Sequence, residues 1–220
     1  EEDTLAAVFG GVTTIVDFCY QEPTVGLMQA VESKDKIWRG KSYIDYSFHV
    51  ILKGQLPKTI IDEIPEAIQE GFSSYKLFTT HVRPVGLPSL KLDTGYFLPV
   101  FQQIYKGGGI AAIHAEDDDL VQHMYKRLEE EGKIEGWRHS EVHSGLSEDL
   151  AFRRVIRLAE QTGAAVYFLH VSAKEGVQVV EEARGKGLPV YAETLHNYAC
   201  FTEEDYKMPG GFLIHTYPSL

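Results

Sequence analysis

With 220 residues, 44% of them apolar and 11% aromatic, the chain can bury one substantial core and lies far from disordered or disulfide-scaffold compositions. Its 32 acidic residues outnumber 21 basic ones for a formal net charge of −11, and Lys and Arg form no stripe, so neither nucleic acid nor an anionic membrane is an expected partner. Cys19 and Cys200 stand far apart without CxxC spacing, no apolar run approaches the ~20 residues of a membrane span, and EEDTLAAVF lacks signal-peptide features, so the expected compartment is the cytoplasm.

Along the chain a strand-then-helix pattern repeats. GVTTIVDF (11–18) is short and β-branched, the stretch after Pro23 reads as helix to Trp38, and YIDYSFHVIL (43–52) is the next strand. A helix over 57–71 carries Ile60, Ile61, Ile64 and Ile68 at three- and four-residue spacing; Pro65 is expected to kink or restart it, and Gly71 to cap its exit into SYKLFTT. The segment from His81 to Thr94, with Arg83, Pro84, Gly86 and Pro88, reads as a long βα loop over one end of the sheet. A helix over 95–106 precedes GGG and the strand IAAIHAE. The acidic run Glu116 to Asp119 then opens a helix, and the helix dipole accounts for it without a functional role. A connection containing Trp137, His139 and His143 leads to SEDLAFRRVIRLAEQTG, for which Ser147 and Glu148 supply the expected cap, and on to AVYFLHVS. A helix over 173–185 leads to VYAETL, after which the tail turns loop-rich and ends on an extended FLIHTYPSL.

Six strands separated by helices imply a parallel sheet, either open and doubly wound or closed into a barrel. No strand is followed by GxGxxG or GxxxxGK[ST], which argues against an open nucleotide-binding sheet. Lys76, His114 and His170 end three successive apolar runs, and polar chemistry at strand ends favours the barrel. A closed (β/α)8 barrel needs about 250 residues, so residues 1–220 read as one barrel domain lacking its first and last strands, a fragment of a longer chain.

GGVTTIVDF, DYSFHVIL, SSYKLF, IAAIHAED, VYFLHVSAKEG and VYAETLHNY resemble successive strand ends of the dihydropyrimidinase and hydantoinase branch of the amidohydrolase superfamily, over nearly the whole chain. The resemblance implies a partial TIM-like (β/α)8 metal-dependent hydrolase barrel, about strands two to seven. The family's His-x-His of strand one and its general-base Asp of strand eight then fall outside this chain, and no His-x-His occurs among the nine histidines. Carried over, the resemblance makes Lys76 a carbamylated bridge, its carbamate derived from carbon dioxide, between two divalent cations taken as Zn²⁺. His114 and His170 become ligands of one of them.

The implied reaction is hydrolysis of a C–N bond in a small cyclic amide or ureide, a hydantoin or dihydropyrimidine, by a metal-bridging hydroxide. Allantoin and dihydroorotate are neighbouring substrates, and the rival reading is a non-catalytic dihydropyrimidinase-like scaffold. Five residues after the lysine, where the family places a tyrosine as oxyanion donor, this chain has His81, which can still donate. Phe78, on the face of Lys76 by alternation, and Thr216 and Tyr217 in HTYPSL are assigned to substrate contact, with Ser219 a further candidate. A homodimer or homotetramer is implied by the resemblance alone.

Other residues take plainer assignments. The apolar run continues past His49, which makes it a structural or ligand-supporting group. HSEVH is not HExxH, so His139 and His143 are expected to be solvated or to pack a loop. Asp17 and Glu193, at strand ends, are expected to hold loops or support metal ligands.

Overall fold

The computed structural model describes residues 2–22, 24–81, 89–133 and 135–220. Arg83, Pro84, Gly86 and Pro88 of the expected loop, and Pro23, lie outside the described residues. The strands are β1 (Thr14–Tyr20), β2 (Asp45–Ile51), β3 (Ser74–Phe78), β4 (Ile110–His114), β5 (Ala165–Phe168) and β6 (Val190–Ala192). They form one sheet in that order, every adjacent pair parallel. The helices are α1 (Glu2–Phe9), α2 (Leu27–Trp38), α3 (Lys58–Gln69), α4 (Thr94–Gly107), α5 (Asp118–Glu130), α6 (His139–Val142), α7 (Gly145–Thr162), α8 (Lys174–Gly185) and α9 (His196–Cys200). A strand order that never reverses has no switch point, so the crossovers all wind the same way and leave the helices on one face. The fold is the middle portion of a (β/α)8 barrel.

Strand alternation divides the side chains between two faces. Tyr75, Leu77, Ala111, Ile113, Val166 and Phe168 point outward into one core with Ile64, Phe101 and Phe152 of the helices; the Phe152 and Phe168 rings stack with centroids 3.8 Å apart. The inner face takes Lys76, Phe78, Ala112 and His114. At its centre these side chains are buried, whereas Val16, Phe18 and Tyr20 on β1 and Tyr191 on β6 are exposed at its two margins.

Helix α3 runs through Pro65 without restarting. Its apolar stripe buries Ile60, Ile61, Ile64 and Ile68. At about 1.5–3 kcal/mol per buried side chain that stripe outweighs the roughly 3 kcal/mol of an internal proline. The glycine run before β4 answers to close packing on the same helix. A Cβ at Gly107 would lie 2.5 Å from Ile68 Cδ1 and one at Gly109 would lie 2.6 Å from the Ser73 carbonyl oxygen, while Gly108 ends α4 at φ 79°.

Two expectations need correction. The cap of α7 is Ser144, whose hydroxyl accepts from the Ser147 N–H, because the helix begins at Gly145. Ser147 and Glu148 therefore sit inside its first turn, and Ser147 Oγ instead accepts from the Asp117 N–H at 2.7 Å. The tail is not extended throughout: after Gly210, at φ 84°, residues Gly211–Ile214 form a 3₁₀ turn, and the chain folds back so that Ser172 Oγ donates to the Ser219 carbonyl. Among the described residues no helix is long and apolar enough to cross a membrane.

Candidate active site

Strands β3 and β4 end side by side, in a register that sets Lys76 beside Ala112 and Phe78 beside His114. Lys76 is 2% exposed, its Nζ has no hydrogen-bond partner among the described residues, and the Phe78 ring centroid lies 4.3 Å away. Burial drives its amine well below the ordinary lysine range against the opposing pull of the Glu193 charge. An amine that has shed its proton is a nucleophile rather than a partner for an ion pair.

His114 Nδ1 lies 3.1 Å from His170 Nε2. Burial lowers both imidazole pKa values, that of His170 to about 2, so both rings are neutral and carry lone pairs. His170 stands just past β5 with φ 43°, a left-handed conformation that costs a non-glycine residue about 1–3 kcal/mol. Neighbouring bonds hold it there. The Leu169 N–H donates to the Ile113 carbonyl at 3.1 Å and the Val171 N–H to the Glu193 carbonyl at 2.7 Å. Glu148, buried on α7, accepts from the N–H groups of Ser172 at 3.2 Å and Ala173 at 3.1 Å.

A cavity of about 670 Å³ opens above these strand ends, bordered by Lys76, Phe78, His114, His170 and Tyr217, with His49 and Glu193 beside them. Two expected contact residues, His81 and Thr216, are not among its described lining residues. The His81 N–H donates to Asp118 Oδ1 at 3.0 Å, anchoring the start of the segment after β3. Thr216 is occupied by the tail: its carbonyl accepts from His139 Nε2 at 2.8 Å and its hydroxyl donates to the Pro218 carbonyl at 2.6 Å.

His49 pairs with Ser74 Oγ at 2.6 Å, and Glu193 accepts from the Tyr167 hydroxyl at 2.6 Å. Asp17 does not face the cavity. It lies one residue out of phase with Val16 and Phe18, which do, and binds Lys34 at 2.5 Å and the Trp38 indole N–H at 3.2 Å on the helical face. His139 and His143 are buried rather than solvated. His143 Nδ1 lies 2.6 Å from Glu116 Oε1, and Glu116 Oε2 lies 2.7 Å from His114 Nε2.

Glu116 is thus part of the centre, and the helix-dipole account of the acidic run fails for it. Asp117 does cap α5 and Asp118 opens its first turn, but Glu116 precedes the helix and is buried. Burial by itself raises its carboxyl; the two imidazole bonds outweigh that and hold it far below the carboxylate range. The sequence signal was its place two residues after His114. Nothing comparable marked Glu148.

No three His, Cys, Asp or Glu residues among those described converge on one point as a cation site. The convergent set is Lys76, His114 and His170. Two neutral imidazole nitrogens facing each other suit a divalent cation, and a partnerless buried amine suits carbamylation, which would add the anionic oxygens the set lacks. The donor set therefore fits the metal centre that the resemblance implies.

A singly wound parallel sheet with its polar groups gathered at the strand ends defines a (β/α)8 barrel with its site at the usual end. The chain is 34% identical over 209 residues to a D-hydantoinase of Streptomyces coelicolor and 30% identical over 210 residues to one of Geobacillus stearothermophilus, each match covering 95% of this chain. Against the crystal structure of a dihydropyrimidinase from Brevibacillus agri the TM-score is 0.86, at 30% identity over 95% of this chain. No protein-family model matches. The chain belongs to the D-hydantoinase and dihydropyrimidinase family, and it spans 44%, 43% and 44% of the lengths of these three relatives.

Proposed function

We propose that the protein carrying this chain is a metal-dependent hydrolase that opens the ring of a small cyclic amide or ureide, a hydantoin or dihydropyrimidine. The observation that carries this reading is the buried Nζ of Lys76, partnerless among the described residues, in one cavity with the facing nitrogens of His114 and His170. A scaffold without catalysis gains nothing from such an amine, since a buried unmade donor costs about 1–3 kcal/mol.

In this reading the neutral Lys76 amine attacks carbon dioxide, forms the N–C bond, and releases a proton to water, leaving a carbamate. His114, His170 and that carbamate would hold two divalent cations, taken as Zn²⁺, which polarise the ring carbonyl and lower the pKa of water. Phe78 and Tyr217 border the substrate in the cavity. The His81 imidazole supplies an N–H toward the developing oxyanion. Water adds to the carbonyl carbon, the C–N bond breaks, and the proton reaches the leaving nitrogen through the family's Asp, outside this chain. A homodimer or homotetramer in the cytoplasm completes the reading.

The test uses the full-length protein, with metal content and ring opening of hydantoin, dihydrouracil, allantoin and dihydroorotate measured together. Lys76→Ala is expected to lose metal and activity in parallel, and a normal metal stoichiometry in that variant would sink the bridging role. His81→Phe is expected to keep its metal and lose roughly 100-fold in turnover; an unchanged rate removes His81 from the site.

A further inference from the structure

Glu116 is 1% exposed and locked at its backbone: its N–H donates to Thr79 Oγ1 at 2.9 Å, and the same hydroxyl donates to its carbonyl at 2.7 Å. Its two carboxylate oxygens face one imidazole each, His114 Nε2 at 2.7 Å and His143 Nδ1 at 2.6 Å. Behind His143, the Tyr125 hydroxyl lies 2.8 Å from His143 Nε2. A carboxylate only accepts, so both imidazoles must present N–H to it. His114 then carries its proton on Nε2, and its Nδ1, the atom 3.1 Å from His170 Nε2, is a bare lone pair. His143, its Nδ1–H directed to Glu116, meets the Tyr125 hydroxyl at its other nitrogen.

We infer that Glu116 is a positioning residue that fixes the tautomer of His114, with His143 and Tyr125 fixing Glu116 in turn, so that His114 meets the centre as a ready ligand. The ligand half of this inference rests on the metal-site reading above. A carboxylate accepting from the far nitrogen of a liganding imidazole sets both tautomer and ring orientation, and its loss typically weakens metal binding by about 10–100-fold. The chain draws its parts from the β4–α5 turn, from α5 and from just past α6, and none of them borders the cavity except His114.

The experiment takes full-length protein labelled with ¹⁵N-histidine, in wild-type and Glu116→Gln forms. Nitrogen shifts of the metal-free protein report the His114 tautomer, and competition with a chelator reports Zn²⁺ affinity. The expected result is an Nε2–H tautomer in the wild type, a mixture in Glu116→Gln, and Zn²⁺ bound roughly 10–100-fold more weakly by the variant. A purely structural role for Glu116 would lower the melting temperature and leave the tautomer alone. A wild-type His114 protonated on Nδ1, or unchanged Zn²⁺ affinity in a folded Glu116→Gln, overturns the inference. Should the variant not fold, the wild-type tautomer decides. A wild type that holds His114 as Nε2–H yet takes up no divalent metal overturns the hydrolase reading and the ligand role with it.

Discussion

A buried lysine without a partner works against its own fold. Lys76 Nζ forgoes its hydrogen bonds with water and gains none from the described residues, a loss of about 1–3 kcal/mol. Lys76→Met keeps the length of the side chain and removes the donor. We expect this substitution to raise the stability of the metal-free full-length protein by about 1–3 kcal/mol in urea unfolding while abolishing metal uptake. A destabilised Met variant would mean that the amine makes contacts in the folded state, and the carbamylation argument would lose its ground. Lys76, His114 and His170 were legible in the sequence because a strand end is visible as the end of an apolar run. Glu116 was not, since its partner His143 comes from 27 residues further on and a local rule already explained an acidic residue there. Glu148 reads locally as a cap for its own helix, whereas its side chain accepts from the N–H groups of another turn.

At the level of the element, the β5–α8 turn shows how one strained residue is kept in place. Glu148 on α7 satisfies the Ser172 and Ala173 N–H groups, directly downstream of His170. Gly176 in the first turn of α8 makes room for it, since a Cβ there would stand 2.1 Å from Glu148 Oε1. Glu148→Ala strands two amides. It should cost about 2 kcal/mol and speed hydrogen exchange at Ser172 and Ala173. Gly176→Ala should reach the same end by displacing the carboxylate, at about 1–3 kcal/mol. Unaltered exchange at those two amides in both variants would show that the turn holds His170 unaided. Strand positions were readable from alternation, because a period of two needs only local sequence. Cap positions and the proline in α3 were not, because packing against a neighbouring element decides them.

Across the whole molecule, the tail returns to the strand ends through His139. Its Nε2–H bonds the Thr216 carbonyl, its ring stacks on His215 with centroids 5.1 Å apart, and Tyr217 crosses it edge-on at 4.7 Å. The extended tail expected from FLIHTYPSL misses this, because the contacts that bend it come from distant residues. Burial pushes the His139 pKa down to about 4, with the neighbouring His143 and His215 acting in the same direction and Glu116 and the bond to Thr216 opposing. Since its ordinary value is 6.5, the unfolded chain takes up the proton before the folded one does. The stability that His139 contributes is therefore complete above about pH 6.5 and falls as the pH drops toward 4, by about 1.4 kcal/mol per pH unit. Protonated His139 would face two further imidazoles, so the docked tail is where the loss should first be felt. Hydrogen exchange of residues 211–220 should quicken between pH 7 and pH 5 after correction for intrinsic rates. In His139→Phe, which cannot take a proton, that pH dependence should flatten even though the bond to Thr216 is gone. Tail protection that is level across this range in the wild type would mean that His139 does not hold the tail against the strand ends.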